Sequence, residues 1–322
     1  IFTNWYSNEH KEVIFFRENA MDKTVETANG PLGLSGAKQG NGRTNPTQNL
    51  VDAFLMKDGH FIKEGKYEYN EQLPYAQRDP RLEYTIIHNG SSWVNSTMET
   101  WQGGANNPLG SSYSLTSYYM RKFMGDFEAA NEYQDTQHNW VMFRYAEILL
   151  NFAEAENEYL STPSQAVYDA IIALRRRAGI EAGENGLYGL KVANREEIRQ
   201  AILDERNVEL CFEGHRFMDL RRTRNMMQLN GLQKYGVEAI AINEDGSEMD
   251  IAEATRKAKT YSLTPDNFKY ILRMVPISAI AENKFLIQES YYFFPIQESK
   301  ILENPNLEQN NNWGGKFNPT ME

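Results

Sequence analysis

The sequence predicts a mostly α (α+β) protein, a helical bundle carrying long irregular segments and small β-hairpins. Three observations lead there. Residues 139–224 hold three successive apolar patterns of helical period. Short β-forming runs sit beside turn signals such as Asn89-Gly90. Polar stretches rich in Asn, Gly and Ser link these elements. At 322 residues, 41% hydrophobic and 24% charged, the chain can bury a substantial core, and residues 1–322 are expected to form one domain.

Val13-Ile14-Phe15-Phe16, among polar and glycine-rich residues, predicts a short strand in loops. Asn45-Pro46-Thr47-Gln48 combines an N-cap, a first-turn proline and a capping-box glutamine. A helix should follow through Leu50, Val51, Phe54 and Leu55 and stop near Gly59. Leu82 to His88 is rich in β-formers, and Asn89-Gly90 predicts a hairpin whose return begins at Trp93-Val94. A polar loop leads to an extended segment around Tyr118-Tyr119-Met120.

The first long helix is expected from about Trp140 to Glu158, with Val141, Tyr145, Ile148, Phe152 and Ala155 on one face. Phe143, Ala146, Leu150 and Ala153 lie opposite, so it should be packed between neighbours. The second starts at the box Thr162-Pro163-Ser164-Gln165 and ends at Gly179. The third starts at Asn194-Arg195-Glu196-Glu197 and runs to about Arg222. Together they describe a tetratricopeptide-like (TPR-like) core at about 139–224, without that repeat's consensus. Extended structure returns after Asp266.

A formal charge of -11 would repel a phosphate backbone, so nucleic acid is excluded as a partner. Arg175-Arg176-Arg177 sits where cations complement a helix C-terminus. Cys211, the single cysteine, can form no intrachain disulfide and reads as a buried structural thiol. No stretch approaches the roughly 20 apolar residues that cross a bilayer.

On a wheel of about 100° per residue, Ile198, Ile202, Phe212 and Leu220 mark the apolar face of the third helix. Glu205, Glu209 and Arg216 fall in its middle, with Glu213 beside it. Buried carboxylates need partners, and Arg216, Arg144 and Arg175 to Arg177 are available. Glu205 and Glu209, about 6 Å apart at i,i+4, also suggest a glycosidase pair, and His215 with Asp219 suggests a metal site. Both are set aside. Mid-helix neighbours point the same way and cannot straddle a bond, and no further His or Cys stands at ligand spacing. No catalytic group, metal or cofactor is expected; Glu205, Glu209, Glu213, Arg216 and Arg144 read as a structural ion network.

FRYAEILLNFAEAENE, RRRAG and ILDERNVELCFEGHRFMDLRR resemble the helical core of the SusD/RagB family. EVIFFRE, PTQNLVDAFLMKDG, QRDPRLEYTIIHNG, SYYMRKFM and PIQESKILENPNLEQN resemble its other segments, in the same order. The resemblance implies a SusD-like fold and an outward-facing outer-membrane lipoprotein. It would hold glycan, or peptide in some members, for a SusC-like TonB-dependent transporter, without catalysis. Family members usually carry a signal, a lipid-anchor cysteine and further helices at the N-terminus. The chain starts at Ile1 without these, so it is expected to be the C-terminal half or two-thirds of such a protein.

Sugars are held by aromatic faces, with amides and hydroxyls reading their rims. The best local match is the loop holding Trp93, Trp101 and Tyr113 among Asn95, Gln102, Asn106 and Asn107. Tyr67, Tyr69 and Tyr75 form a second candidate. A tryptophan after a turn is more often packed than presented, so the two readings of this loop stand side by side. Trp5 and Trp313 read as packing residues. A glycoside hydrolase and a TPR-like protein–protein adaptor are the alternatives to a glycan binder.

Overall fold

Short antiparallel strand pairs alternate with helices in the computed structural model, which describes residues 11–107, 114–260, 263–275, 284–310 and 312–314. They fall into two compact units, Ile1–Glu209 with Tyr235–Pro276, and Leu210–Lys234 with Ile277–Glu322. The boundary after Glu209 cuts through the helical core expected at 139–224.

The larger unit begins with β1 (Val13–Arg17), β2 (Met21–Asp22), α1 (Thr24–Asn29), α2 (Gln48–Ala53) and α3 (Arg81–Thr85). Next come β3 (Ile86–Ile87), β4 (Ser92–Trp93), β5 (Ser96–Thr97), β6 (Tyr119–Met120), β7 (Thr136–Gln137) and β8 (Trp140–Arg144). The long helices are α4 (Tyr145–Tyr159), α5 (Gln165–Ala178) and α6 (Arg195–Glu209). After α7 (His215–Arg222) of the smaller unit, β9 (Tyr235–Ala241), α8 (Ile251–Thr260) and β10 (Phe268–Met274) complete the larger one. The smaller unit also holds α9 (Glu298–Glu303). β1 pairs with β8, β2 with β7, β3 with β6, β4 with β5 and β9 with β10, all antiparallel.

Several elements depart from the sequence pattern because distant partners override local preference. α2 has Thr47 as N-cap, not Asn45, and ends at Ala53. The Arg78 guanidinium ends it by donating to the carbonyls of Val51 and Phe54, both at 2.7 Å. Residues 81–85 are helical because Asp79 accepts the Arg81 backbone N–H at 2.9 Å and starts a helical turn. The Asn89-Gly90 turn forms, yet β3 pairs with β6, and β4 turns back through Val94 and Asn95 to β5. Both turn residues have positive φ, at 45° and 51°. Their N–H groups donate to Phe127 and Glu128 carbonyls, which hold the turn from outside.

Trp140–Arg144 is strand, not helix, because its aromatic and β-branched residues pair with β1. α4 packs on α5 and α6 through Ala146, Leu150 and Ala153. Its other face, with Tyr145, Ile148 and Phe152, is exposed rather than packed, as are Ile14, Phe15 and Phe143 on the adjoining strands. α5 closes on Gly179 at φ 86°. α6 opens on a reciprocal box, with Asn194 and Glu197 each accepting the other's backbone N–H at 3.1 Å.

The third helix stops at Glu209. Phe212 at φ 65° and Gly214 at φ 85° break it before α7 starts. In the smaller unit, Arg221 donates to the Tyr292 carbonyl and lies 3.8 Å from the Phe294 ring centre. Trp313 donates to the Ser290 carbonyl at 2.9 Å and stacks on Tyr291. Cys211 is buried.

Two loops of the larger unit meet backbone to backbone at Gly59 and Gly189, at φ 81° and 82°. A Cβ on Gly59 would lie 2.1 Å from the Tyr188 carbonyl oxygen. Gly59→Ala is therefore expected to lower stability by roughly 2–3 kcal/mol through the strained φ and the clash, read as a lower midpoint in equilibrium denaturant unfolding.

Candidate functional site

The two glutamates that resemble a catalytic pair are the centre of a buried ion network. Arg81, 2% exposed, donates to Asp79 at 2.7 Å, Glu205 at 2.5 Å and Glu209 at 2.9 Å. Glu205 also receives the Arg175 Nε–H at 2.9 Å. Glu209 receives Arg144 at 2.6 Å and Arg177. Lys122 and Arg144 donate to the Glu209 carbonyl at 3.0 and 2.8 Å. Arg175 reaches on to the carbonyls of Gly59 and Tyr188, tying the glycine crossing to the same cluster.

Burial alone would push both carboxyls up. The guanidiniums outweigh it and hold Glu205 and Glu209 below the ordinary value of 4.5, Glu209 far below. A glycosidase acid needs the opposite shift, to keep a proton near neutral pH. Geometry and charge therefore assign these groups to holding helices together. Arg144 stands in the network beside them. Glu213 and the exposed Arg216 lie beyond the helix break, in the smaller unit, so a single-helix wheel does not describe them. The principal partner, Arg81, comes from a segment whose sequence pattern predicts strand. Among the described residues no group of three or more His, Cys, Asp or Glu is placed to hold a metal.

The tryptophans singled out as a binding platform are interior. Trp93 is 0% exposed, packs with Phe127 and donates to the Tyr133 hydroxyl at 2.8 Å. Trp101 is 2% exposed, among Ala239, Ala241, Met249, Ala254 and Phe268. Neither indole offers a face, because each is enclosed by other core side chains, Trp93 by Tyr119, Phe127 and Tyr133 and Trp101 by Met249 and Phe268. Asn106 is buried as a loop brace, donating to the Leu32 carbonyl at 2.7 Å. Asn107 donates to the Thr100 carbonyl at 3.0 Å. Asn95 is exposed and Gln102 half-buried. Tyr113 and Trp5 lie outside the described residues.

The second candidate fares differently. Tyr67, Tyr69 and Tyr75 are half-buried. The Tyr67 hydroxyl donates to Glu181 at 2.5 Å, beside Lys66. Tyr69 lies over the Arg78 guanidinium, 6.0 Å from ring centre to Cζ. Tyr75 stacks on His88 at 3.7 Å, meets Tyr270 edge-on at 5.6 Å and bonds the Tyr118 hydroxyl at 3.0 Å. Tyr118 donates to Gln48 at 2.6 Å, and Asn89 donates to Tyr270 at 3.3 Å. Burial pushes the Tyr75, Tyr118 and Tyr270 phenols up, so they stay neutral hydroxyls. The result is an aromatic wall with amides and hydroxyls among its rings, suited to sugar C–H faces and hydroxyls. Tyr118, His88 and Tyr270 escaped the sequence reading because strands far apart in the chain bring them together.

A SusD family model matches residues 11–313. The chain belongs to the SusD family. Two SusD-like proteins of Formosa agariphila, P2 and P38, are 35% and 33% identical over 99 and 95 residues. These stretches are 30% and 29% of this chain and 19% and 18% of theirs. A SusD-like protein of Bacteroides fragilis superposes with a TM-score of 0.71 at 23% identity, over 97% of this chain and 56% of its own. A SusD-like carbohydrate-binding protein of the same species gives 0.65 at 25% identity, over 92% and 54%. The chain thus spans about half the length of the solved SusD-like proteins it matches, and the aligned stretches cover under a fifth of the two Formosa proteins.

Glu209→Gln is expected to lose about 3–5 kcal/mol, because buried Arg144 and Arg81 and half-buried Arg177 would be left around a neutral amide. Since Glu205 and Glu209 are held below 4.5 when folded, the unfolded chain binds more protons in acid. Their contribution is complete above about pH 4.5 and declines as pH falls toward the lowered values. Thermal melts from pH 7 to pH 3 should show this decline, and it should flatten in Glu209→Gln.

Proposed function

We propose that this chain is part of a surface nutrient-capture protein that binds glycan without cleaving it and delivers it to a SusC-like TonB-dependent transporter. The observation that carries the reading is the SusD family match running from residue 11 to residue 313. A carbohydrate-binding relative at 25% identity supports it. The tyrosine wall of Tyr69, Tyr75 and Tyr270 supplies suitable chemistry for a sugar face, with Tyr67, Asn95 and Gln102 as further polar candidates. The lipoprotein setting at the outer membrane is taken from the family. Among the described residues no helix is long and apolar enough to cross a membrane.

Hydrolysis is the weaker reading because its two best carboxylates are buried, ionised and saturated with guanidinium donors. Affinity electrophoresis against a panel of neutral and acidic polysaccharides, run beside a reducing-end assay, separates the two. Retarded migration with no new reducing ends is expected. Tyr69→Ala should weaken binding about threefold to tenfold, the scale of one aromatic contact. Release of reducing ends would overturn the binder reading.

A further inference from the structure

A second cavity in the larger unit, away from the tyrosine wall, encloses about 490 Å³ between β2, α1, β6 and β8. That lies within the roughly 300–1,000 Å³ of small-ligand sites. Trp140 lines it and is 50% exposed, in contrast to the interior Trp93 and Trp101. Phe123 stands beside it, with ring centres 6.3 Å apart and planes inclined by 34°. The Phe123 backbone has φ 74°, a left-handed conformation that is uncommon for an aromatic residue and recurs where side chains are aimed at ligands.

Polar groups converge on the same space. The Asn19 backbone N–H donates to Asn139 Oδ1 at 3.1 Å, and the Asn19 side chain donates to the His138 carbonyl at 2.7 Å. Both amides are therefore held in place before any ligand arrives. Asp22, exposed on the rim, accepts the Thr24 N–H at 2.9 Å. That bond keeps its carboxyl below the ordinary value of 3.8. Beneath the wall, buried Glu26 lies 3.0 Å from His138 Nε2. Among the described residues no Lys or Arg lines the cavity itself; Lys23 and Arg43 stand with Asp22 in the adjoining groove.

We propose that this cavity is a second carbohydrate site, which stacks a non-acidic sugar ring on Trp140 and reads its hydroxyls with Asn19, Asn139 and Asp22. An indole face covers the C–H side of a pyranose, and a carboxylate accepts from adjacent hydroxyls. A uronate or sulfated ring would set its own negative charge against Asp22 inside the cavity, where no cation is among the described lining residues. The proposal rests on the glycan-binding reading but on different residues, so the two can fail separately.

The test is titration of the full chain with neutral gluco-, galacto- and manno-oligosaccharides and with oligogalacturonate and sulfated galactan oligosaccharides. Intrinsic tryptophan fluorescence and calorimetry report binding. A neutral ligand should perturb the fluorescence. Trp140→Ala should weaken that ligand at least tenfold while the unfolding midpoint stays near the parent's, because the side chain is half exposed. Trp140→Phe should restore most of the affinity, and Asp22→Asn should raise affinity for the acidic sugars. If Trp140→Ala binds like the parent while Tyr69→Ala does not, the Trp140 site is wrong and the glycan reading stands. Preference for acidic sugars in the parent, lost in Trp140→Ala, overturns the non-acidic assignment. If no oligosaccharide binds, both readings fall. Should Trp140→Ala unfold, Trp140→Phe and Asp22→Asn decide by the same criteria.

Discussion

Buried charge can persist only where opposite charge and hydrogen bonds replace the water it gave up. In this chain that constraint centres on Arg81. Its guanidinium is fully buried and answers three carboxylates at once, from Asp79, Glu205 and Glu209. Through those carboxylates it is linked to Arg175 on α5 and to Arg144 at the end of β8. α3, α5, α6, β8 and the Gly59–Gly189 loop crossing therefore share one electrostatic centre. Moving any one of them would strand a charge in the interior. This explains why a segment of β-forming residues accepts a helical turn at 81–85: the turn delivers Arg81 to the glutamates.

The same network decides where chemistry can and cannot occur. Carboxylates that accept several guanidinium donors have no proton to give. The proposed binding surfaces therefore use half-buried and exposed aromatic groups on the loops and strand ends around this core. Tyr75 and Tyr270, which meet edge-on, belong to the first proposed surface, and Trp140 with Phe123 to the second. Phe15 and Phe143 are exposed beside one another on β1 and β8, and Ile148 and Phe152 are exposed on α4.

Legibility of the sequence varied with the range of the forces involved. The capping box at Asn194 and the glycine stop at Gly179 are local, and both were readable. The pairing need of Glu205 and Glu209 was readable too, since a carboxylate on an apolar stripe implies a cation. Arg144, Arg175 and Arg177 are legible as those cations, whereas Arg81 is not, because it comes from a distant segment. Arg216 shares the apolar face on a continuous wheel, but the positive-φ break at Phe212 and Gly214 ends the helix first. The start of α4 was misplaced for a related reason: 140–144 has helical spacing, yet pairing with β1 satisfies its backbone as a strand. The family resemblance was legible across the chain because its motifs belong to this scaffold.

By itself, the sequence determined the helical core, the acidic surface that disfavours nucleic acid, the need for buried ion pairs and the membership in the SusD family. The first three follow from residue type and short-range spacing, and the last from the ordered motifs that resemble the family's. Only the tertiary structure decided which aromatic rings fill the interior and which present a face. Trp93 and Trp140 have the same side chain and both precede a valine. One is buried by Phe127 and Tyr133, and the other stands half exposed at a cavity mouth. The difference comes from segments dozens of residues away, because burial depends on what the rest of the chain packs against a side chain.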